Sequence, residues 1–566
     1  MYPKILTLAV ASSLFVFSGL QAQTIPDAGS LLRDQQQKPQ EPNKLQPPEI
    51  KEIQPSPVAC GVTVNVKGFT FTGYEKLVAE NELKALVASS EGKTLTFEEL
   101  DALTVKITSY LRERGWIMAQ AYLPKQDVTS GIIQIVISQG KSDGRITFKF
   151  DNATRISEKR LRAMSASAVH LDEAINMKKL ERTVLLMNDL SGVTCRASFA
   201  PGAAMGTSRL SLDINEGPAL SGTVWGDNHG NTYTGSWRHN ASFSFNDPFG
   251  WGDQLSFLWT IADGLNQGRI GYTFPIATSG LKGNLAFTSL NYELGKDLLA
   301  LDYKGRSKSI DAGISYPLLR SRAANVTTGI SYGYKALLDT KSSIEIRDRE
   351  LNSATFSVDA NRFDKLFGGG YTSGSFGVTT GKFNEYIADV SRTGTEGGYT
   401  RFNLGISRLQ RIVERVNVNF SLSGQKSVCN LDSSEKFSLG GPNGIRAYPM
   451  GEGAGDEGYI ISNELHYDLP VPPTWGNYQI AGFYDAGHIT LNRKRYTNDV
   501  STATNLNDYW LQGIGIGVNC AVGGRFNLRS SWAHVIGDNP GRSVSGNDSD
   551  GRNDKSRFWI QAILYF

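Results

Sequence analysis

At 566 residues the chain is too long for one ordinary hydrophobic core and divides into two or more units. A net charge of +3 excludes the strong field of a nucleic-acid-binding surface, and 60 glycines with 9 Trp, 22 Tyr and 26 Phe against 20 prolines favour strands and turns. No GxxxxGK[ST], HExxH or GxSxG motif is present, and His170, His229, His239, His466, His488 and His534 are scattered, so neither a nucleotide site nor a catalytic set is expected. Cys60, Cys195, Cys429 and Cys520 lack CxxC spacing, which argues against zinc and leaves their pairing open.

Residues 1–22 carry Lys4, an apolar run over 5–17 and the small-residue approach to Ala22, the pattern of a secretory signal peptide cleaved after Ala22. That run is shorter than the roughly 20 residues a helical span needs, and nothing later is apolar for that long. Any membrane must therefore be crossed by strands. Residues 23–59 open with a short helical pattern, DAGSLLRD, then become QQQKPQEPNKLQPPEIKEIQPSP. The latter cannot bury enough apolar surface to fold and is expected to be an extended linker.

Residues 60–141 read as a compact α/β unit: a strand at 62–69, helices at 74–89 and 96–114, and strands at 118–123 and 131–138. Thr96 and Glu99 form a capping box for the second helix, and Gly115 ends it. Residues 142–218 repeat the order, with a strand at 145–150, helices at 157–164 and 177–188, and strands at 194–199 and 208–215. Sheets this small leave an edge strand and a helix-edge groove free, which suits capture of an extended chain by β-augmentation.

From 219 to 566 the helical pattern disappears. Sixteen strand-like runs can be marked, each about 10 residues long, the length a tilted strand needs to cross a bilayer. Their number is even, as in bacterial single-chain barrels. Short turns such as NDPFGWGD, ATSGLKG and GGR alternate with long polar loops at 335–351, 426–458 and 536–556, the two-sided asymmetry of an outer-membrane barrel. The last run places Phe558, Ile560, Ala562, Leu564 and Phe566 on one lipid-like face. In the run 509–521, Gly513, Gly515 and Gly517 share a face, a stripe that weakens a strand unless something must approach closely from the lumen.

Within 437–469, GGPNGIRAYP sets Arg446 in a Gly-rich loop between two strand-like runs. A buried guanidinium needs an anion, and FYDAG supplies one: period 2 puts Phe483 and Asp485 on the same face.

Taken in order, these pieces resemble the outer-membrane transporter partner of two-partner secretion, the TpsB family of haemolysin secretion/activation type within the POTRA-plus-barrel superfamily. The resemblance is carried by PDAGSLLRDQQ with its Pro-rich linker, AYLPKQDVTSGIIQIVISQGK, WGDNHGNTYTGSWR, GGPNGIRAYP with the following GDEG, FYDAG and the terminal aromatic, and it covers the whole mature chain. It implies α+β periplasmic repeats followed by an all-β 16-stranded antiparallel transmembrane barrel: signal peptide 1–22, plug helix and linker 23–59, POTRA domains 60–141 and 142–218, and barrel 219–566. It also implies a helix around 27–34 sitting in the barrel as a removable plug. Two POTRA domains would bind the unfolded secretion signal of a large β-rich exoprotein, which then crosses in extended form without nucleotide hydrolysis.

By the same resemblance the sixth loop folds into the lumen and is locked there by Arg446 on Asp485, with Tyr448, Phe483 and Gly487 around the pair. Ile445 and Ala447 depart from the valine and glycine frequent in the motif. Outer-membrane lipid and the barrel-assembly machinery are further implied partners, with no nucleic acid, cofactor or enzymatic role. The nearest rival is a barrel-assembly or insertase protein of the same superfamily; two repeats, the plug-like helix and the linker favour the transporter. Whether the cargo is a haemolysin, an adhesin or a contact-dependent toxin is not written in the chain.

Overall fold

The computed structural model describes residues 25–36, 63–116, 118–151, 154–166, 168, 170–171, 173–203, 207–387, 395–496 and 502–566. The expected signal peptide, the Pro-rich linker and Cys60 lie outside them. The first element is α1 (Ala28–Gln36). Asp27 starts it: its Oδ1 accepts from Ser30 N at 2.8 Å while Ser30 Oγ accepts from Asp27 N at 3.0 Å.

The first repeat comprises β1 (Thr63–Asn65), β2 (Gly68–Thr72), α2 (Glu80–Val87), β3 (Thr94–Thr96), α3 (Phe97–Glu113), β4 (Gln120–Tyr122) and β5 (Ile132–Ser138). Its sheet has the order β2-β5-β4, with β2 parallel and β4 antiparallel to β5. Two expected elements differ. The strand at 62–69 divides into β1 and β2, because Val66 N bonds Lys93 O while Lys67 N turns to Gly131 O, so the chain changes partner between them. The helix at 74–89 shortens to α2, because Leu77 N and Val78 N both fold back onto Tyr74 O in a turn. The capping box of α3 is present, with Glu99 N to Thr96 Oγ1 at 3.2 Å and Thr96 N to Glu99 Oε2 at 2.8 Å. Gly115 follows α3 with φ +99°, a conformation only glycine takes readily.

The second repeat has the same topology: β6 (Lys141–Phe150), α4 (Glu158–Ser165), α5 (Met177–Asn188), β7 (Val193–Pro201) and β8 (Thr207–Glu216), in the order β6-β8-β7. Each repeat closes its own apolar core, the first around Leu83, Ile107, Ile133 and Ile135, the second around Leu161, Met187, Leu210 and Leu212. Cys195 is buried in the second core, which pushes its thiol up to about 12.

Sixteen strands close into a barrel. Its first half is β9 (Leu220–Asp227), β10 (Arg238–Asn246), β11 (Gln254–Ala262), β12 (Leu265–Pro275), β13 (Lys282–Glu293), β14 (Tyr303–Arg320), β15 (Ala324–Lys341) and β16 (Ile344–Asp364). The second half is β17 (Gly370–Ile387), β18 (Gly397–Val413), β19 (Val416–Ser427), β22 (Glu457–Asp468), β23 (Asn477–Thr490), β24 (Asp508–Val522), β25 (Phe526–Val535) and β26 (Ser556–Tyr565). Between β19 and β22 lie two short strands, β20 (Phe437–Ser438) and β21 (Ala454–Gly455), paired with each other inside the barrel. β26 pairs with β9 to close the ring, and Phe566 exchanges two backbone hydrogen bonds with Gly222.

The expected loop at 335–351 is corrected: β15 and β16 continue through it as a long hairpin. Ser342 and Ser343, at φ +49° and +67°, make a two-residue turn of the twist that keeps antiparallel strands in register. The second repeat packs against the opposite rim, with Ser157 N donating to Gly250 O at 3.0 Å, Ser191 N to Gly252 O at 3.1 Å and Arg182 Nη2 to Pro317 O at 2.7 Å. Turns and repeats therefore share one end of the barrel, and the long loops share the other.

Candidate functional site

The loop 428–456 folds back into the lumen. Its tip closes on itself: Ile445 N donates to Leu439 O at 2.7 Å and Tyr448 N to Ile445 O at 3.1 Å, and Gly441 turns the chain at φ +117°. This leaves Leu439, Ile445, Ala447 and Tyr448 fully buried against Ile489, Tyr509 and Leu511 of the wall. The glycines of the wall make the room. A Cβ on Gly513 would stand 2.6 Å from Ala447 Cβ, one on Gly515 2.4 Å from Phe483 Cζ, and one on Gly487 2.9 Å from Leu439 Cδ2. Of the stripe read from the sequence, Gly513 is the floor under the loop tip, Gly515 makes room for the Phe483 ring beneath Arg446, and Gly517 faces only its neighbouring strands.

Arg446 reaches from that tip to β22 and β23. Its Nε donates to Asp485 Oδ2 at 2.8 Å and its Nη2 to Asp485 Oδ1 at 2.7 Å, a two-pronged match of planar groups. Nη1 lies 2.6 Å from Glu464 Oε1, and the guanidinium stacks 3.3 Å above the centroid of the Phe483 ring. Its carbonyl accepts from Trp559 Nε1 at 2.7 Å. Ser462 Oγ donates to Asp485 Oδ1 at 2.6 Å, and His466 Nε2 stands 2.7 Å from Glu464 Oε2. Arg446, Asp485 and Phe483 thus meet directly, whereas Tyr448 and Gly487 serve the packing beneath. Sequence reasoning missed Ser462, Glu464, His466 and Trp559; the period-2 spacing of the first three on β22 was the available signal.

At its far side the loop 428–456 meets the side chain of Asn539 and the backbone of Ser549. Asn539 Nδ2 and Ser549 N donate to the two carboxylate oxygens of Glu452, each at 2.7 Å.

α1 also lies inside the barrel, and its buried Leu31 and Leu32 pack in a cluster with Leu290, Leu337, Leu351 and Phe383 of the wall. Its start is tied by charge. Arg347 Nη1 donates to Asp27 Oδ2 at 2.8 Å; Arg349, with no exposure at all, donates to Asp339 Oδ2 and Asp432 Oδ2, both at 2.6 Å. Ala28 N completes the knot on Asp339 Oδ1 at 2.8 Å, and Ser433 Oγ donates to Asp27 Oδ2 at 2.8 Å. Helix, wall hairpin and the base of the loop 428–456 therefore share one charge cluster. Arg347 and Arg349 were missed because 335–351 reads as a loop, for which no facing can be assigned; in a strand their i, i+2 spacing puts them on one face. Beside the helix remains a polar lumenal cavity of about 1240 Å³ reached by Gln35, Gln36, Arg238, Asn240 and Arg269. Cys195, Cys429 and Cys520 are unpaired.

Residues 206–520 match the family described as haemolysin secretion/activation protein ShlB/FhaC/HecB, and residues 64–140 match the POTRA domain of ShlB type. The chain is 27% identical to the heme/hemopexin transporter protein HuxB of Haemophilus influenzae (strain 86-028NP), over 100% of both chains. In fold it is similar to CdiB from Escherichia coli, with a TM-score of 0.70 at 19% identity over 89% of this chain and 91% of that one. It is less similar to BamA from Haemophilus ducreyi lacking POTRA domains 1–3, with a TM-score of 0.52 at 14% identity over 89% and 100%.

Proposed function

Because the chain belongs to the haemolysin secretion/activation protein family, whose members are outer-membrane transporters, we propose that it exports one large β-rich partner protein through its own lumen. The barrel sits in the outer membrane of a Gram-negative cell with its POTRA repeats in the periplasm. The free edge strands β2 and β6 offer backbone groups to an unfolded secretion signal arriving from the periplasm. The partner then passes in extended form, and its folding outside the cell supplies the direction. The barrel-assembly reading gives way to this one because the matching family is that of the secretion proteins.

The observation that carries the proposal is the double occlusion of the lumen by α1 and by the loop 428–456, both held by side-chain contacts rather than by covalent bonds. A permanent plug needs no such reversible fastening, and a passive pore needs no plug. The positional role of Arg446 and Asp485, with Phe483, Tyr448 and Gly487 in support, belongs to this proposal, as do the domain limits 60–141, 142–218 and 219–566. Insertion by the barrel-assembly machinery, contact with outer-membrane lipid and the absence of a catalytic step belong to it too. The test is export of a large β-rich exoprotein with an N-terminal secretion domain, co-expressed with this chain and measured in culture supernatant with the full-length chain and with residues 62–217 deleted. Export is expected to stop in the deletion while the barrel still reaches the outer membrane; undiminished export would end the capture role.

A further inference from the structure

β14 presents an outward row of basic side chains at the end of the barrel opposite the repeats. Lys304, Arg306 and Lys308 are exposed, whereas the alternating Ser307 and Ser309 face inward with 1% exposure each. Immediately below them on the same face come Ile310, Ile314 and Leu318, at 49%, 47% and 58% exposure. At roughly 3.3 Å per residue along a tilted strand these cover about 20 Å of height, most of the apolar band of about 25 Å that faces hydrocarbon in such barrels. The basic row therefore stands one step above the acyl chains, at the headgroups of the outer leaflet.

Two of its three members, Arg306 and Lys308, are not neutralised by the described residues. Lys304 takes the two nearby carboxylates, Asp302 at 3.1 Å and Glu293 at 3.4 Å. Arg306 faces Asn291 on β13 and Leu338 on β15, and Lys308 faces Ser289 and Ala336, all uncharged. Neither forms an ion pair or hydrogen bond with a described residue. Side chains two apart on one strand lie roughly 7 Å from each other, a spacing that lets an arginine fork and a lysine ammonium grip one phosphate group between them. The uncharged residues opposite leave no competing anion.

We propose that Arg306 and Lys308 form a binding site for the phosphate of an anionic glycolipid in the outer leaflet, whose acyl chains run down over Ile310 and Ile314. The proposal uses the orientation of the barrel given above and is independent of what the lumen carries. Its test is native mass spectrometry of the full-length protein in detergent, titrated with bis-phosphorylated lipid A, dephosphorylated lipid A and phosphatidylglycerol. The phosphorylated glycolipid is expected to remain bound and to be lost as salt rises, with an affinity about 30-fold lower in the Arg306→Gln/Lys308→Gln double variant. The charge-retaining Arg306→Lys/Lys308→Arg variant should bind within about threefold of the native chain, which separates lost charge from a misfolded barrel. Equal binding of the double variant, or of dephosphorylated lipid A, overturns the site, and equal binding of phosphatidylglycerol overturns its assignment to a glycolipid. Export measured on the same variants reports on the lumen alone, so the two readings fail separately.

Discussion

Arg446 is surrounded by two carboxylates, a hydroxyl and an aromatic face, so removing it leaves Asp485 buried without its cation, at a cost of about 3 to 5 kcal/mol to the docked loop, whereas removing Asp485 leaves Arg446 paired with Glu464 alone and costs less. Arg446→Ala and Asp485→Ala should both lower export while the barrel inserts normally, as read by heat-modifiable migration; native export by both would remove the positional role. Gly515→Val tests the seat of Phe483, since its Cβ would stand 2.2 Å from Trp532 O and 2.4 Å from the Phe483 ring. It should displace Phe483 and reproduce the Arg446→Ala defect. Glu452 makes a pH prediction. Burial, with the charge of Asp548 beside it, pushes its carboxyl up from 4.5 to about 7. A folded-state value raised in this way stabilises the docked loop below pH 4.5, and this stability, about 3 kcal/mol, is lost as pH rises from 4.5 through 7. Limited proteolysis within 428–456 should be slower at pH 5 than at pH 8, and Glu452→Gln should remove the difference.

Among the elements, α1 is too short to persist alone in water, so its place depends on the wall. Two substitutions separate its retention from barrel stability. Asp27→Ala removes the anchor of the helix yet leaves Arg349 with Asp339 and Asp432, and Arg347 with Glu385 at 3.3 Å. It should raise conductance in planar bilayers without changing the melting temperature. Arg349→Met strands Asp339 of the wall and Asp432 at the base of the loop 428–456, and should lower the melting temperature instead. In the first repeat, Thr96→Ala removes the cap of α3 and should cost about 1 kcal/mol in denaturant unfolding of the periplasmic region.

At the scale of the whole molecule, the second repeat is fastened to the barrel rather than tethered. Arg320 of β14 grips both oxygens of Asp189, at 2.7 and 2.9 Å, and Arg322 N donates to Glu181 Oε1 at 2.8 Å. The free edge strand β6 is thereby held at a fixed place below the lumen. Asp189→Ala should broaden the distance distribution between spin labels on α4 and on the turn at 276–281, and reduce export in proportion. An unchanged distribution would mean that the backbone contacts at Gly250 and Gly252 suffice.

Alternation and turn chemistry are local, and they made much legible in advance: sixteen strands, two repeats of one topology, the capping box at Thr96, the lipid face of 558–566, and the shared face of Phe483 and Asp485. A strand pattern also says that a glycine stripe needs a close neighbour, without naming it. Only the closed barrel could name Ala447 and Phe483 as the neighbours of Gly513 and Gly515, because those contacts join residues far apart in the chain. The same holds for the knot of Asp27 with Arg347, Arg349, Asp339 and Asp432, which is 405 residues wide from Asp27 to Asp432. Each member alone reads as an ordinary exposed charge. Their burial follows from ring closure, which turns one face of every strand inward and brings the first helix, the long hairpin and the base of the loop 428–456 to one point in the lumen.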